Sequence, residues 1–174
     1  RLVRNVLENS DTEWISIERE LETLKLYIEL ESMRFNSRFS FEIEVDDSIK
    51  RETDQIPPLA IQPFVENAIL HGLIPLKGVA GKLRIHLRKN GNFIECSVED
   101  NGIGRERAKE IKERKSHGQR SMGIELTIER LNRYSKMGKL EFTPEILIED
   151  KFDHHQQPTG TIVRLMLPVK TVKP

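Results

Sequence analysis

The chain has 174 residues, 28 lysines and arginines balanced by 28 acids, 37% apolar residues and a single cysteine. That length holds one globular domain with a large core, or one domain with a helical extension. The charge balance leaves no basic footprint for nucleic acid, Cys96 forms no internal disulfide, and no apolar run approaches the roughly 18 residues of a membrane-spanning helix. There is no signal peptide and no initiating Met, and RLVRNVLENS opens in mid-helix character, so the chain reads as a piece of something longer.

Leu2, Val3, Val6 and Leu7 mark the end of a short amphipathic helix, followed by a polar break at 9–12. Ser16 caps a second helix that runs to about Phe35, with Glu18 and Glu20 in its positively polarised first turn. Leu21, Leu24 and Ile28 form its buried stripe; Leu26, Leu30 and Met33 widen it towards a second face. Phe39, Phe41, Ile43 and Val45 alternate with polar residues, a half-exposed strand. A polar loop over 46–55 follows. Pro57 and Pro58 then open a core helix that continues to Leu73 and ends at Gly72 and Pro75.

After a loop over 74–81, Leu83, Ile85 and Leu87 alternate with basic residues and His86, and Asn90-Gly91 signals a two-residue hairpin. The return strand sets Ile94, Cys96 and Val98 on one face. Residues 102–122 hold one charged helix and the polar segment KSHGQRSMG. Ile124 to Met137 is an amphipathic helix. Strands at 139–148 and 161–168 are joined by a polar loop through His154 and His155. This order predicts an α/β two-layer sandwich with a mixed, mostly antiparallel sheet and helices on one face.

Two segments carry the chemistry. In QPFVENAILHG, Pro63, Asn67 and His71 step by four along one helix stripe, while Val65, Ala68 and Ile69 point towards the sheet. Asn67 offers a hard amide oxygen suited to magnesium, His71 can donate to phosphate or stack on a base, and Glu66 lies beside the stripe where it could orient a metal-bound water. In EDNGIG, parity carries Asp100 onto the core face after Val98. A carboxylate there needs donors, and the exocyclic amine of a purine is one. Gly102 and Gly104 would let backbone approach a ligand. Thr161 shares the inward parity of Val163, Leu165 and Leu167. Each element has a plainer reading: Asp-Asn-Gly is common turn chemistry, and Asn67 and His71 suit any half-exposed helix. Cys96 reads as inert core, and the His154-His155 pair lacks the spacing of a metal site.

In order, VENAILHG, DNGIG, SMGIEL and GTIVRLMLP resemble the ATP-binding catalytic domain of sensor histidine kinases, within the superfamily of DNA gyrase, Hsp90 and MutL. ISIERELETLKLYIELESMRF and IPPLAIQPFVENA are most similar to the LytS/YehU-type subfamily. The resemblance implies a Bergerat-type fold over 37–174, preceded at 1–36 by the helical tail of a dimerisation and phosphoacceptor region. It implies a lid at about 105–122. ATP and magnesium are the implied cofactors: Asn67 as metal ligand, His71 as nucleotide contact, Asp100 as adenine reader. Gly102 and Gly104 shape the pocket, Ser121, Met122 and Gly123 form the second glycine segment, and Thr161 lies near adenine. The γ-phosphoryl group would pass to a histidine upstream of this chain, in a homodimeric parent, and then to a response-regulator receiver domain. The parent would be anchored in a bacterial inner membrane with this domain in the cytoplasm.

Three positions depart from the family pattern: Leu70 where many members have a basic residue, Pro63 where many have an acid or amide, and Ser121 at a lid glycine. Phosphate charge would then fall to magnesium and to lid cations such as Lys115 or Arg120. None of the five histidines sits in the subfamily's Pro-His-Phe context. The departures leave two rivals open: an ATP-binding scaffold without transfer, and a slow ATPase.

Overall fold

The computed structural model describes residues 12–36, 38–115, 122–137 and 145–172. The expected first helix, the 139–144 part of the expected strand, Ser121 and Arg120 lie outside them.

A two-residue strand β1 (Ile15–Ser16) leads into helix α1 (Ile17–Arg34). Ser16 is the N-cap, its hydroxyl accepting from the Arg19 amide at 3.3 Å. Ile17, Leu21, Leu24 and Ile28 bury the predicted stripe, whereas Leu30 and Met33 stay exposed. Strand β2 (Phe39–Val45) follows, then β3 (Asp54–Ile56). The latter overlaps the end of the expected polar loop over 46–55 and is too short for a period to register.

The next helix starts later than the prolines suggest. Residues 57–61 form a turn with Leu59 at φ 54, and helix α2 begins at Gln62 with Pro63 in its first turn. The reason lies in α1. The Glu20 carboxylate, 1% exposed, accepts from the Leu59 amide at 2.9 Å and the Ile61 amide at 3.3 Å. Burial pushes this carboxyl up to about 7, with the two amides and Arg130 pulling the other way. Helix α2 runs Gln62–Asn67 and continues as a wider, π-helical turn over Ala68–Leu73.

Strands β4 (Gly81–Asn90) and β5 (Phe93–Asp100) form the expected hairpin, with Gly91 at φ 59 in the turn. Helices α3 (Arg105–Lys115) and α4 (Met122–Met137) follow. The final pair is β6 (Ile146–Phe152) and β7 (Pro158–Pro168), then β8 (Lys170–Thr171). Both long strands extend beyond the expected bounds. The turn between them is held by Asp153, whose carboxylate accepts from the amides of His155 and Gln157, both at 2.8 Å.

The main sheet runs β2-β4-β5-β7-β6, parallel only between β2 and β4. A parallel pair needs a crossover, and this one carries α2 onto the sheet face. Leu83, Ile85, Leu87, Ile94, Cys96, Val98, Leu165 and Leu167 form the covered face. The opposite face carries a charge ladder: Glu42–Arg84, Arg84–Glu99, Glu99–Lys151. A small second sheet, β1-β3-β8, closes one end. Its Asp54 is buried, yet Lys89 at 2.7 Å, Thr171 at 2.5 Å and the Lys50 amide at 3.0 Å surround it. Burial would raise that carboxyl; these bonds outweigh it and hold the group below the ordinary range.

Candidate nucleotide-binding site

A cavity of about 380 Å³ opens between α2, α3, α4 and the inner face of β5, β6 and β7. That volume lies within the usual range for small-molecule sites. Asn67, His71, Asp100, Gly104 and Thr161 all line it. The helix stripe and the strand parity therefore converge on one space.

Asp100 ends β5 with 5% of its surface exposed. Oδ1 accepts from the Gly102 amide at 2.7 Å, which bends the chain immediately after the strand. Burial pushes its carboxyl up to about 6, partly offset by the Gly102 amide, Lys151 and the Thr161 amide, with Glu99 acting against them. Thr161 is its register partner across β7, which places the two side chains on the same face.

The glycines act differently from expectation at one position. Gly104, at φ 77, lines the cavity, and a Cβ there would meet Pro158 at 2.6 Å. Gly102 does not line it. A Cβ on Gly102 would collide with the backbone of Gly72, and a Cβ on Gly72 would meet Asp100 Oδ1 at 2.8 Å. Gly72 O also accepts from the Ile103 amide at 3.1 Å. The pair therefore lets the loop after β5 lie directly on the π-helical turn, with Asp100 wedged between them. Gly72 had read only as a helix terminator.

Pro63 and Glu66 are not among the lining residues. Glu66 is exposed, one residue and about 100° around the helix from Asn67, on the side that faces Tyr27. Phe64, Ala68 and Gly72 line the cavity instead, beside Asn67 and His71. Met122 and Gly123 fall in the first turn of α4, and Ile124 reaches the cavity wall.

Helix α3 supplies three lining residues the sequence did not single out: Arg105, Ala108 and Lys109. Arg105 makes a two-pronged ion pair with Asp150 of β6, Nε to Oδ1 at 2.7 Å and Nη2 to Oδ2 at 2.5 Å. The expected lid helix is thus tied to the sheet at its first residue. An arginine beginning a charged helix and an acid at inward parity in β6 are visible in the sequence, but their pairing is not. Cys96 is fully buried and burial raises its thiol, in keeping with an inert core residue. His154 and His155 lie on an exposed turn with their ring centroids 3.9 Å apart and the rings tilted by 45°.

Asn67 brings an uncharged oxygen donor to the cavity, and no cluster of three or more His, Cys, Asp or Glu occurs among the described residues. This donor set fits magnesium, which takes one or two protein ligands and completes its shell with water and phosphate oxygens.

Residues 53–171 match the family described as histidine kinase-, DNA gyrase B-, and HSP90-like ATPase, and residues 1–39 match that described as histidine kinase. The first match spans well over half of the chain, so the chain belongs to the histidine kinase-, DNA gyrase B-, and HSP90-like ATPase family. Sensor histidine kinase YpdA of Escherichia coli (strain K12) is 38% identical over 104 residues, 60% of this chain and 18% of YpdA. Sensor protein LytS of Oceanobacillus iheyensis is 36% identical over 104 residues, 60% of this chain and 17% of LytS. Putative uncharacterized protein YwpD of Bacillus subtilis (strain 168) is 33% identical over 120 residues, covering 68% of this chain and 42% of YwpD. Its similarity to YpdA and LytS is to the ATPase domain of LytS-type sensor histidine kinases, and the chain spans less than half the length of each of these relatives.

The fold is similar to that of the mycobacterial sensor histidine kinase MprB, with a TM-score of 0.58 at 16% identity, covering 92% of this chain and 99% of that one. The catalytic domain of histidine kinase ThkA gives 0.56 at 15% identity, covering 89% and 94%.

Proposed function

We propose that this domain binds magnesium-ATP in the cavity between α2 and the sheet and presents its γ-phosphoryl group to a histidine upstream in the parent protein. The observation that carries the proposal is the buried Asp100 carboxylate at the cavity floor, with Asn67 and His71 on the facing helix. Asp100 would accept from the adenine amine, and Thr161 beside it would complete the base pocket. Gly104 keeps the wall low enough for the base plane. Asn67 would hold the metal, which supplies neutralisation of phosphate charge. His71, with Lys109 and Arg105 from α3, faces the same space and would contact the phosphates.

Among the lining residues Asp100 is the only acid, and the proposal assigns it to the base. Among the described residues no other carboxylate lines the cavity to activate water, and Pro63 is not one of the lining residues. That favours transfer to an imidazole, a nucleophile needing no strong base, over hydrolysis. The work of the site is positioning and charge stabilisation. By the same reading the parent is a membrane-anchored homodimer, this domain faces the cytoplasm of a bacterial cell, and the phosphoryl group passes on to a response-regulator receiver domain. ThkA has been captured in complex with the response regulator TrrA.

Titration with a fluorescent ATP analogue and magnesium tests the binding step: the chain should bind, and Asp100→Asn should lose at least about tenfold in affinity, as expected when a buried charged partner is removed. Adding the upstream acceptor helix in trans with labelled ATP tests transfer. A chain that binds ATP and never labels that helix would be a scaffold.

A further inference from the structure

Three helices meet at the turn that starts α2. Ile61 is the N-cap of α2 yet makes no side-chain cap bond. The cap comes from 41 residues away, where the Glu20 carboxylate on α1 takes the amides of Leu59 and Ile61. On the other side of the turn, Arg130 of α4 donates to the Pro58 carbonyl at 2.9 Å, and its charge acts on Glu20. The turn is held in an unfavourable backbone state, with the non-glycine Leu59 at φ 54, which persists only where surroundings fix it. Six residues after Ile61 comes Asn67, and four further on His71.

We propose that Glu20 is a positioning residue for the nucleotide site: through the 57–61 turn it sets the rotation and start of α2, so that the placement of α1 and α4 is transmitted to Asn67 and His71. The proposal rests on the ATP-binding reading above. Its physical basis is that a helix moves as a rigid rod over two or three turns, so an anchor at its first residue fixes the groups one and two turns on. Glu20 does not line the cavity. It lies on α1, and its partners belong to the 57–61 turn and to α4, which follows the expected lid. Helices α1 and α4 therefore both hold the turn from which α2 starts.

The test uses the whole chain, TNP-ATP with magnesium, and amide hydrogen exchange. In Glu20→Gln, an amide NH₂ would face an amide N–H, costing one bond to the turn. Affinity should fall about tenfold, the equivalent of one lost charge-assisted hydrogen bond. Exchange should accelerate through residues 62–73 as well as at 59–61. Ile28→Val, a cut in the buried face of the same helix, should leave affinity within about twofold and α2 exchange unchanged, since it removes one methylene of packing. Equal loss of affinity in Ile28→Val, or acceleration confined to 59–61, would reduce Glu20 to a structural role and overturn the inference. Unchanged affinity in Glu20→Gln alongside loss in Asp100→Asn would overturn it while sparing the ATP reading. Unchanged affinity in Asp100→Asn would overturn both. If Glu20→Gln does not fold, Arg130→Gln decides: faster exchange through α2 with weaker TNP-ATP binding supports the link, and neither change refutes it.

Discussion

At the residue scale, Asp100 is a group the fold holds at a cost. Its carboxyl rises from the ordinary 3.8 to about 6 because burial disfavours the charge. The folded state therefore holds its proton to higher pH than the unfolded chain does. This contribution favours the fold below about pH 4 and is lost as pH rises to about 6. It is worth about 3 kcal/mol, since each pKa step is about 1.4 kcal/mol. Asp100→Asn should accordingly unfold at higher denaturant concentration than the native chain at pH 7, with the difference shrinking towards pH 4. A native chain equally stable at pH 4.5 and pH 7, with Asp100→Asn parallel to it, would contradict this account. Nucleotide affinity should fall as the solution is acidified through pH 6, because the neutral acid presents one acceptor fewer to the base.

At the element scale, α3, the proposed lid helix, is held at its first residue. The Arg105–Asp150 pair clips it to β6, while residues 106–111 are mostly exposed and charged. Asp150 lies below and Arg105 above their ordinary ranges, first through their mutual hydrogen bonds. The pair is partly exposed, so its effect on global stability should be small, below about 1 kcal/mol. Its effect on the site should be larger. Asp150→Asn is expected to leave the melting temperature nearly unchanged and to raise the ATP dissociation rate several-fold in stopped-flow, because the lid loses its hinge-side anchor. A large thermal shift with unchanged dissociation would assign the pair to the fold instead. The expected lid cations Lys115 and Arg120 fall at the end of α3 and beyond the described residues. Lys109, one turn into the helix, lines the cavity together with Arg105.

At the scale of the whole molecule, most of the architecture was legible because it rests on period. Alternation gave β2, β4 and β5, and helical spacing gave α1 and α4. The parity that set Asp100 behind Val98 also gave the side of the sheet on which the site would lie. What stayed hidden depends on contacts between distant residues. The late start of α2 depends on Glu20, the short β3 on Thr171 and Lys89, and the packing role of Gly102 on Gly72. No local pattern records those pairs. The π-helical turn likewise has no sequence period of its own, though it delivers Gly72 to Asp100. Ligand linkage gives a test at this scale: at about one hundred times Kd, magnesium-ATP should stabilise the chain by about 2.7 kcal/mol. Thermal denaturation with and without nucleotide reads this directly, and no shift at saturating nucleotide would mean that ATP does not select the folded state.

Asp100, Thr161 and Asp150 are register partners in one row across β5, β7 and β6. The proposed base reader, pocket hydroxyl and lid anchor therefore sit on consecutive strands joined by backbone hydrogen bonds, although 50 and 61 positions separate Asp100 from Asp150 and Thr161 in the chain. Such a row is an assembly checkpoint. A slip of one residue between any two of these strands would turn one of the three to the opposite face. The chain then gains nucleotide affinity only when the last hairpin has docked in register, so competence to bind ATP would be acquired late in folding and all at once.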